Sequence, residues 1–149
     1  RSPVATGPLV DRYFSLSDLT GFMASADYVL VTLPHNAATE GFVGRDALAA
    51  MQPHGVILNV GRGPVIDETA LLSALDDGRI AFAALDVFEQ EPLPNASALW
   101  SHPSVLISPH TAALNSKEEE RIARRFAENA TRLLEGRDLR AQVDTVEFY

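Results

Sequence analysis

The sequence contains no cysteine, which excludes disulfide bonds and thiolate chemistry and makes a cytoplasmic location the default expectation. It also has no apolar run near the ~20 residues that a membrane-spanning helix needs, and we expect no signal peptide at its start. Basic residues are few: 12 lysines and arginines stand against 20 aspartates and glutamates, for a net charge of −8. Binding to nucleic acid or to an anionic membrane is therefore not expected, because both favour a basic surface.

A glycine-rich phosphate-binding turn is also missing. The segment from Gly61 to Ile66 (GRGPVI) follows an apolar run and resembles the G-x-G-x-x-G pattern. Its third glycine is absent, and Pro64 has no N–H to offer a phosphate. We therefore reject this segment as a dinucleotide fingerprint, and no other segment of the sequence matches the pattern.

What the sequence does contain is a set of short apolar runs. Its 149 residues, 46% of them hydrophobic, suit one globular domain with a proper core. The four runs are Tyr28 to Thr32, Val56 to Val60, Ile80 to Leu85 and Val105 to Ser108. Because none alternates strictly between apolar and polar residues, we predict four strands of a parallel sheet, buried on both faces.

Helical patterns with identifiable ends lie between and after these runs. Residues 45–51 form a short pattern that Pro53 stops, and the next pattern begins at the N-cap Asp67 and ends at Gly78. In the longest, Ser116 and Glu119 match a capping box, and Gly136 ends the helix. Its apolar stripe contains Ile122, Phe126, Ala130 and Leu133.

The alternation of strands and helices predicts an α/β fold with a doubly wound parallel sheet. In such sheets ligands bind beyond the carboxyl ends of the strands. The residues that follow the four predicted strands are Leu33, Pro34, His35 and Thr39; Gly61, Arg62 and Gly63; Asp86, Glu89, Glu91 and Pro92; and Pro109 with His110. We expect these polar side chains to share one edge of the sheet.

Three of these side chains fit together chemically. Arg62 can bind a carboxylate through two parallel hydrogen bonds. His110 can exchange a proton near neutral pH, and a carboxylate such as Glu91 beside it would stabilise the protonated ring. The alternative is that Arg62 caps a helix, that Glu91 is a solvated acid before a proline, and that His110 is a satisfied loop residue. The residue types alone leave both interpretations open.

At these positions the sequence resembles the D-isomer-specific 2-hydroxyacid dehydrogenases, a family that includes phosphoglycerate dehydrogenases and glyoxylate/hydroxypyruvate reductases. Three segments carry the resemblance: Leu58 to Gly63 with Val65-Ile66-Asp67, Ala84 to Pro92, and Ser108 to Ala112. They occur in order at family-like separations, and the likeness runs from about Leu16 to Leu134.

The resemblance implies a Rossmann-like sheet, incomplete in its N-terminal half, and a hydride transfer between NAD or NADP and a small 2-oxo or D-2-hydroxy acid. Arg62 would bind the substrate carboxylate, His110 would be the acid and base, and Glu91 would pair with His110. The residues implied at the cofactor are Leu33, Pro34, Thr39, Val60, Gly61, Arg62, Asp86 and His110. No metal is implied.

The sequence departs from the family at both ends. The glycine-rich turn and most of the substrate domain would precede Arg1, so we expect residues 1–136 to be a partial Rossmann domain and 137–149 to be a C-terminal tail. Such a chain is expected to be inactive alone. Arg1 would lie near the adenosine ribose, where an arginine favours NADP over NAD. A surface arginine at the start of the chain is an equal alternative.

Other functions stay open at this stage. The resemblance implies a homodimer for the complete enzyme, with a small-molecule substrate. Some relatives act instead as corepressors, in which cofactor binding switches association with protein partners. A folded but inactive chain is a further alternative.

Overall fold

The computed structural model describes residues 10–143. The chain folds into two compact units, of which the first ends at Ser108 and the second begins at Pro109. Within residues 10–143, no helix has the length and apolar character needed to cross a membrane. In the same range no three histidine, aspartate or glutamate side chains cluster in a way that could hold a metal ion.

The first unit is built on a four-stranded parallel sheet. Its strands are β1 (Tyr28–Val31), β2 (Val56–Asn59), β3 (Phe82–Leu85) and β4 (Val105–Ile107). They lie in the order β1-β2-β3-β4, so each strand pairs with the one before it in the chain. Each observed strand falls within one of the four predicted runs. The prediction of a parallel, Rossmann-like α/β fold is confirmed.

Among residues 10–108, three α-helices accompany the sheet: α1 (Leu19–Ala24), α2 (Arg45–Ala49) and α3 (Glu68–Asp76). The caps predicted for α3 are confirmed. The Asp67 side chain accepts a hydrogen bond from the N–H of Ala70, and Gly78, at φ 65°, ends the helix. Three short 3₁₀ turns are also present, at Leu16–Asp18, Gly63–Val65 and Ala98–Ser101. Neither α1 nor these turns was predicted from the sequence.

The core lies on one face of the sheet, and the prediction that the strands are buried on both faces is wrong. In β1, Val29 and Val31 are 2% and 5% exposed, whereas Tyr28 and Leu30 are 74% and 57% exposed. In β2 and β3, buried residues alternate with half-buried ones. A sequential strand order explains it, because crossovers of one hand place all the connecting helices on the same face. The packing of α2 against both α1 and α3 agrees with this.

The second unit contains α4 (Glu118–Leu134). The capping box predicted at Ser116 and Glu119 is wrong: the helix begins after Lys117, and no side chain caps it. The nearby Asn115 side chain accepts from the N–H of Lys117 instead. The end of the helix is as predicted, with Gly136 at φ 65°. Its apolar stripe is present but exposed, with Phe126 at 75%.

The segment after α4 is more ordered than a polar tail suggests. Asn129 of α4 exchanges two hydrogen bonds with the backbone of Arg140, at 3.0 and 2.9 Å. The Arg140 side chain also pairs with Glu128 at 2.9 Å, and the Arg132 side chain donates to the carbonyl of Asp138. Residues up to Arg140 therefore fold back along the helix.

Candidate active site

The carboxyl ends of the strands form a level edge. Val31 pairs with Asn59, and Asn59 in turn pairs with Leu85. The ladder continues one residue further, since the N–H of Val60 donates to Val31 and the N–H of Asp86 donates to Asn59. The residues that follow β1, β2 and β3 therefore stand side by side, as expected for the ligand edge of a parallel sheet.

Gly61 brings two of the predicted cofactor segments into contact. A Cβ built on Gly61 would lie 2.7 Å from the carbonyl oxygen of Leu33 and 2.9 Å from the carbonyl carbon of Thr32. Any larger residue would push the segment after β1 away from the turn after β2. Val60, next to this contact, is 39% exposed and presents an apolar side chain at the edge.

The turn that carries Arg62 is held by a buried amide. Asn59 is 1% exposed, its Oδ1 accepts from the N–H of Gly61 at 3.0 Å, and its Nδ2 donates to the carbonyl of Arg62 at 3.1 Å. The Arg62 side chain is exposed, with one guanidinium N–H donating to the carbonyl of Gly61 at 2.8 Å. A guanidinium has five N–H donors, so this bond leaves donors for a substrate anion.

Gly63 joins the arginine turn to the loop that carries Glu91. A Cβ built on Gly63 would lie 1.8 Å from the backbone carbonyl of Phe88, so only glycine fits here. Within the loop, the Glu91 carboxylate accepts from the N–H of Phe88 at 3.0 Å. The first unit thus brings together the backbones that position Arg62 and Glu91.

Two further glutamates tie this loop to α3. The N–H of Glu68 donates to the Glu89 carboxylate at 2.9 Å, and the N–H of Glu89 donates to the Glu68 carboxylate at 2.6 Å. Burial raises the pKa of Glu68 above its ordinary value, and the Glu89 charge adds to the rise, while the hydrogen bond from Glu89 opposes it. We call Glu68 and Glu89 the glutamate clamp.

The other residues predicted at the cofactor lie at or near the same edge. Asp86 is 5% exposed and directly follows β3. The Thr39 hydroxyl donates to the carbonyl of Pro34 at 2.6 Å and accepts from the N–H of Asn36 at 2.9 Å, so it shapes the loop after β1. Arg1 lies outside the described residues.

His110 belongs to the second unit, and its place beside Glu91 stays a prediction. Its backbone has φ 55°, in the left-handed region that non-glycine residues rarely occupy. Such conformations cost of order 1–3 kcal/mol and cluster at functional sites. The histidine therefore has a constrained backbone at the position where the sequence predicts an acid–base residue.

Sequence reasoning missed the residues that hold this edge together. Asn59, Glu68 and the backbone of Phe88 act through tertiary contacts, which no local pattern around them reveals. The one available sign was Gly63, a glycine inside a strand-turn-helix segment, since glycine often marks a close approach of two backbones. The sequence predicts Glu89 at the strand end but gives it no role.

Comparison with known proteins agrees with this geometry. The family model described as "D-isomer specific 2-hydroxyacid dehydrogenase, NAD binding domain" matches residues 3–112. Glyoxylate/hydroxypyruvate reductase B from Enterobacter agglomerans is 40% identical over 120 residues, which are 80% of this chain and 37% of the relative. The same-named protein of Yersinia pestis strain Pestoides F is 41% identical over 125 residues, 84% of this chain and 37% of the relative. The chain thus spans little more than a third of these relatives.

Solved structures give the same answer. A D-isomer-specific 2-hydroxyacid dehydrogenase from Xanthobacter autotrophicus Py2, in complex with NADPH and MES, is similar with a TM-score of 0.84 and 40% identity, over 92% of this chain and 56% of that one. An NADPH-dependent glyoxylate/hydroxypyruvate reductase from Sinorhizobium meliloti, in complex with NADP and sulfate, has a TM-score of 0.83 and 30% identity over 91% of this chain and 44% of that one. The strand order, the arginine turn and these likenesses agree: this chain belongs to the D-isomer-specific 2-hydroxyacid dehydrogenase family and contains the part that matches its NAD-binding domain.

Proposed function

We propose that this chain supplies the catalytic edge of an oxidoreductase that transfers a hydride between NAD(P)H and a small 2-oxo acid, giving the D-2-hydroxy acid. The observation that carries the proposal is the junction of Gly63 with Phe88, which fixes the Arg62 turn against the Glu91 loop in a member of this family. Glyoxylate and hydroxypyruvate are the substrates to test first, because the relatives carry both in their names.

The residues at the edge fit the nicotinamide end of the cofactor. Val60 and Leu33 offer apolar contact for the ring, and Asp86 is a carboxylate that can accept from the carboxamide N–H. The bound reduced nicotinamide would supply the hydride. A glycine-rich turn for the pyrophosphate is absent from the 149 residues, so we expect no turnover from this polypeptide alone.

The side chains would share the remaining chemistry. Arg62 would bind the substrate carboxylate through two parallel N–H···O bonds and hold the neighbouring carbonyl in place. His110 would give a proton to the carbonyl oxygen during reduction and take it back during oxidation. Glu91 would stabilise the protonated imidazole and fix its orientation. These roles for Arg62, Glu91 and His110 come from family membership, and the geometry of the first unit supports those of Arg62 and Glu91.

The test is the Arg62→Lys variant, measured in the full natural protein. A point charge cannot reproduce a two-pronged contact, so we expect kcat/KM for the 2-oxo acid to fall roughly 10²-fold or more, with KM for the cofactor little changed. Arg79→Lys is the matched control, since Arg79 is exposed and pairs with Asp77 after α3. Wild-type kinetics for Arg62→Lys would remove this residue from the site.

A separate kinetic comparison decides which cofactor is used. Solved neighbours were crystallised with NADPH or NADP, and Arg1 could receive a 2′-phosphate, so we propose a preference for NADP over NAD. The ratio of kcat/KM for NADPH to that for NADH tests it, and a strong preference for NADH contradicts it.

We further propose a cytoplasmic homodimer as the working form. The absence of cysteine from the sequence suits a reducing compartment, and the dimer follows from the family resemblance alone. Light scattering of the natural protein tests the dimer. The corepressor alternative gains no support, because the relatives reported above are all named as reductases or dehydrogenases.

A further inference from the structure

The glutamate clamp is an unusual use of two acids. Each carboxylate accepts the backbone N–H of the other residue, at 2.9 and 2.6 Å, and the two residues lie 21 positions apart in the sequence. The Glu89 charge repels that of Glu68 and contributes to the raised pKa of the Glu68 carboxyl. The arrangement persists because each acid satisfies a backbone N–H that has no other partner in its own element.

The N–H groups explain why acids are placed here. Glu68 is the first residue of α3, and the N–H groups of a first helical turn have no partner inside the helix. The Glu89 carboxylate supplies the partner from another loop, where the positive end of the helix dipole favours it. In return the Glu68 carboxylate holds the N–H of Glu89 in the loop after β3. The clamp therefore joins a helix start to a loop that has no regular hydrogen bonding.

The joined segments are the two that carry the proposed site. The 3₁₀ turn at Gly63–Val65 lies between Arg62 and the start of α3. On the other side, Glu89 directly follows Phe88, whose N–H binds the Glu91 carboxylate at 3.0 Å. The contact of Gly63 with Phe88 lies between these two connections. The clamp thus provides a second connection between the arginine turn and the Glu91 loop, beside the contact of Gly63 with Phe88.

We infer that Glu68 and Glu89 are a reciprocal pair of positioning residues that set the separation of Arg62 and Glu91, and hence the placement of the substrate carboxylate relative to Glu91. This inference rests on the proposed function for its catalytic consequence. The pair does not touch substrate and acts only through the backbone of the arginine turn and the glutamate loop.

The kinetic test distinguishes the effect of side-chain length from the effect of charge. Glu68→Ala and Glu89→Ala each open the clamp, and we expect kcat for 2-oxo acid reduction to fall roughly 10–100-fold, the cost of a misplacement near 1 Å, with cofactor KM unchanged. Glu68→Gln and Glu89→Gln keep an amide oxygen as acceptor and should retain most activity. Glu89→Asp keeps the charge but shortens the side chain, so it should behave like Glu89→Ala.

The controls are the exposed neighbours Thr69 and Gln90, whose Thr69→Ala and Gln90→Ala variants disturb the same helix start and the same loop without touching the clamp. Both should keep wild-type rates. The double variant of Glu68 and Glu89 to alanine should be no slower than either single variant, because the two residues act as one unit. Alanine variants with the same kcat as the controls overturn the inference, and so does an active Glu89→Asp.

Amide hydrogen exchange gives a readout independent of turnover. In Glu89→Ala the amide of Glu68, and in Glu68→Ala the amide of Glu89, should exchange roughly tenfold faster or more than in the wild type, while the amide of Leu71 inside α3 should stay protected. Unchanged exchange at both amides overturns the clamp. If the wild-type enzyme reduces no 2-oxo acid, the proposed function fails, and the exchange experiment still decides the clamp.

Discussion

At the residue scale, the side chain of Asn59 has both ends of its amide engaged. It is 1% exposed, and it holds the N–H of Gly61 and the carbonyl of Arg62. A buried amide without hydrogen-bond partners costs free energy. The Asn59 side chain therefore favours the turn conformation in which both of these hydrogen bonds form. The orientation of the Arg62 backbone is thus determined by a residue that precedes the arginine in the chain.

We expect Asn59→Ala to destabilise the protein by about 2–3 kcal/mol, because it leaves a buried N–H and a carbonyl without their partner. Urea unfolding followed by the fluorescence of Trp100, the single tryptophan, measures the change. The exposed Asn95 provides the control variant Asn95→Ala, which should unfold like the wild type. An Asn59→Ala protein of wild-type stability would show that the amide bonds contribute nothing.

At the element scale, the start of α3 is capped by two carboxylates, one adjacent in sequence and one from a loop further along the chain. Asp67 accepts the N–H of Ala70 from within the same turn, whereas Glu89 reaches the N–H of Glu68 from the loop after β3. The helix therefore cannot shift along its axis without breaking the bond to the loop. Its N-terminus is a fixed point for both segments of the site.

The raised pKa of Glu68 makes this helix start sensitive to pH. A carboxyl whose pKa is higher in the folded than in the unfolded protein is ionised more readily on unfolding. Its contribution to stability is present below the ordinary value of 4.5 and is lost as the pH rises through the raised folded value. The burial and the Glu89 charge that raise this pKa should thus lower stability at neutral pH.

Glu68→Gln removes the ionisable group and keeps the acceptor. We expect its free energy of unfolding to exceed that of the wild type at pH 7, and the difference to shrink as the pH falls toward 4. Urea unfolding at several pH values measures both. Glu40→Gln, at an exposed glutamate, controls for the loss of one negative charge. A difference that does not depend on pH would contradict the assignment.

The elements divide into those that local sequence determines and those that it does not. The strands could be predicted because apolar residues cluster there, and α3 because Asp67 and Gly78 mark its ends. At the start of α4 the predicted box of Ser116 and Glu119 is absent, and the Asn115 side chain accepts from the N–H of Lys117. The clamp could not be foreseen, since nothing near Glu68 in the sequence shows that Glu89 will meet it.

At the scale of the whole molecule, the sheet has one covered and one open face. Leu30 and Leu106 are 57% and 59% exposed, although their strands read as fully buried in the sequence. An apolar run shows that a strand can be covered on both sides, but among the described residues only one face of the sheet is covered. Large exposed apolar patches favour association.

The open face predicts how the 149-residue chain behaves in solution. Leu30→Thr should raise its solubility and lower its binding of a hydrophobic dye, with stability changed by less than about 1 kcal/mol. The neighbouring Val29→Thr places a hydroxyl in the core and should cost roughly 1–3 kcal/mol without improving solubility. Dye titration and urea unfolding of both variants measure these effects. Equal behaviour of the two variants would contradict a one-faced core.

The sequential order of the strands also bears on how the chain assembles. Each strand pairs with one that lies about 25 residues earlier, so every step of sheet formation closes a loop of similar, modest length. A chain emerging from the ribosome can add β2 to β1, then β3 to β2, without waiting for a distant segment. In that sequence of events the arginine turn takes shape before β3 has been made, and the loop with Glu91 then docks onto a surface that is already in place.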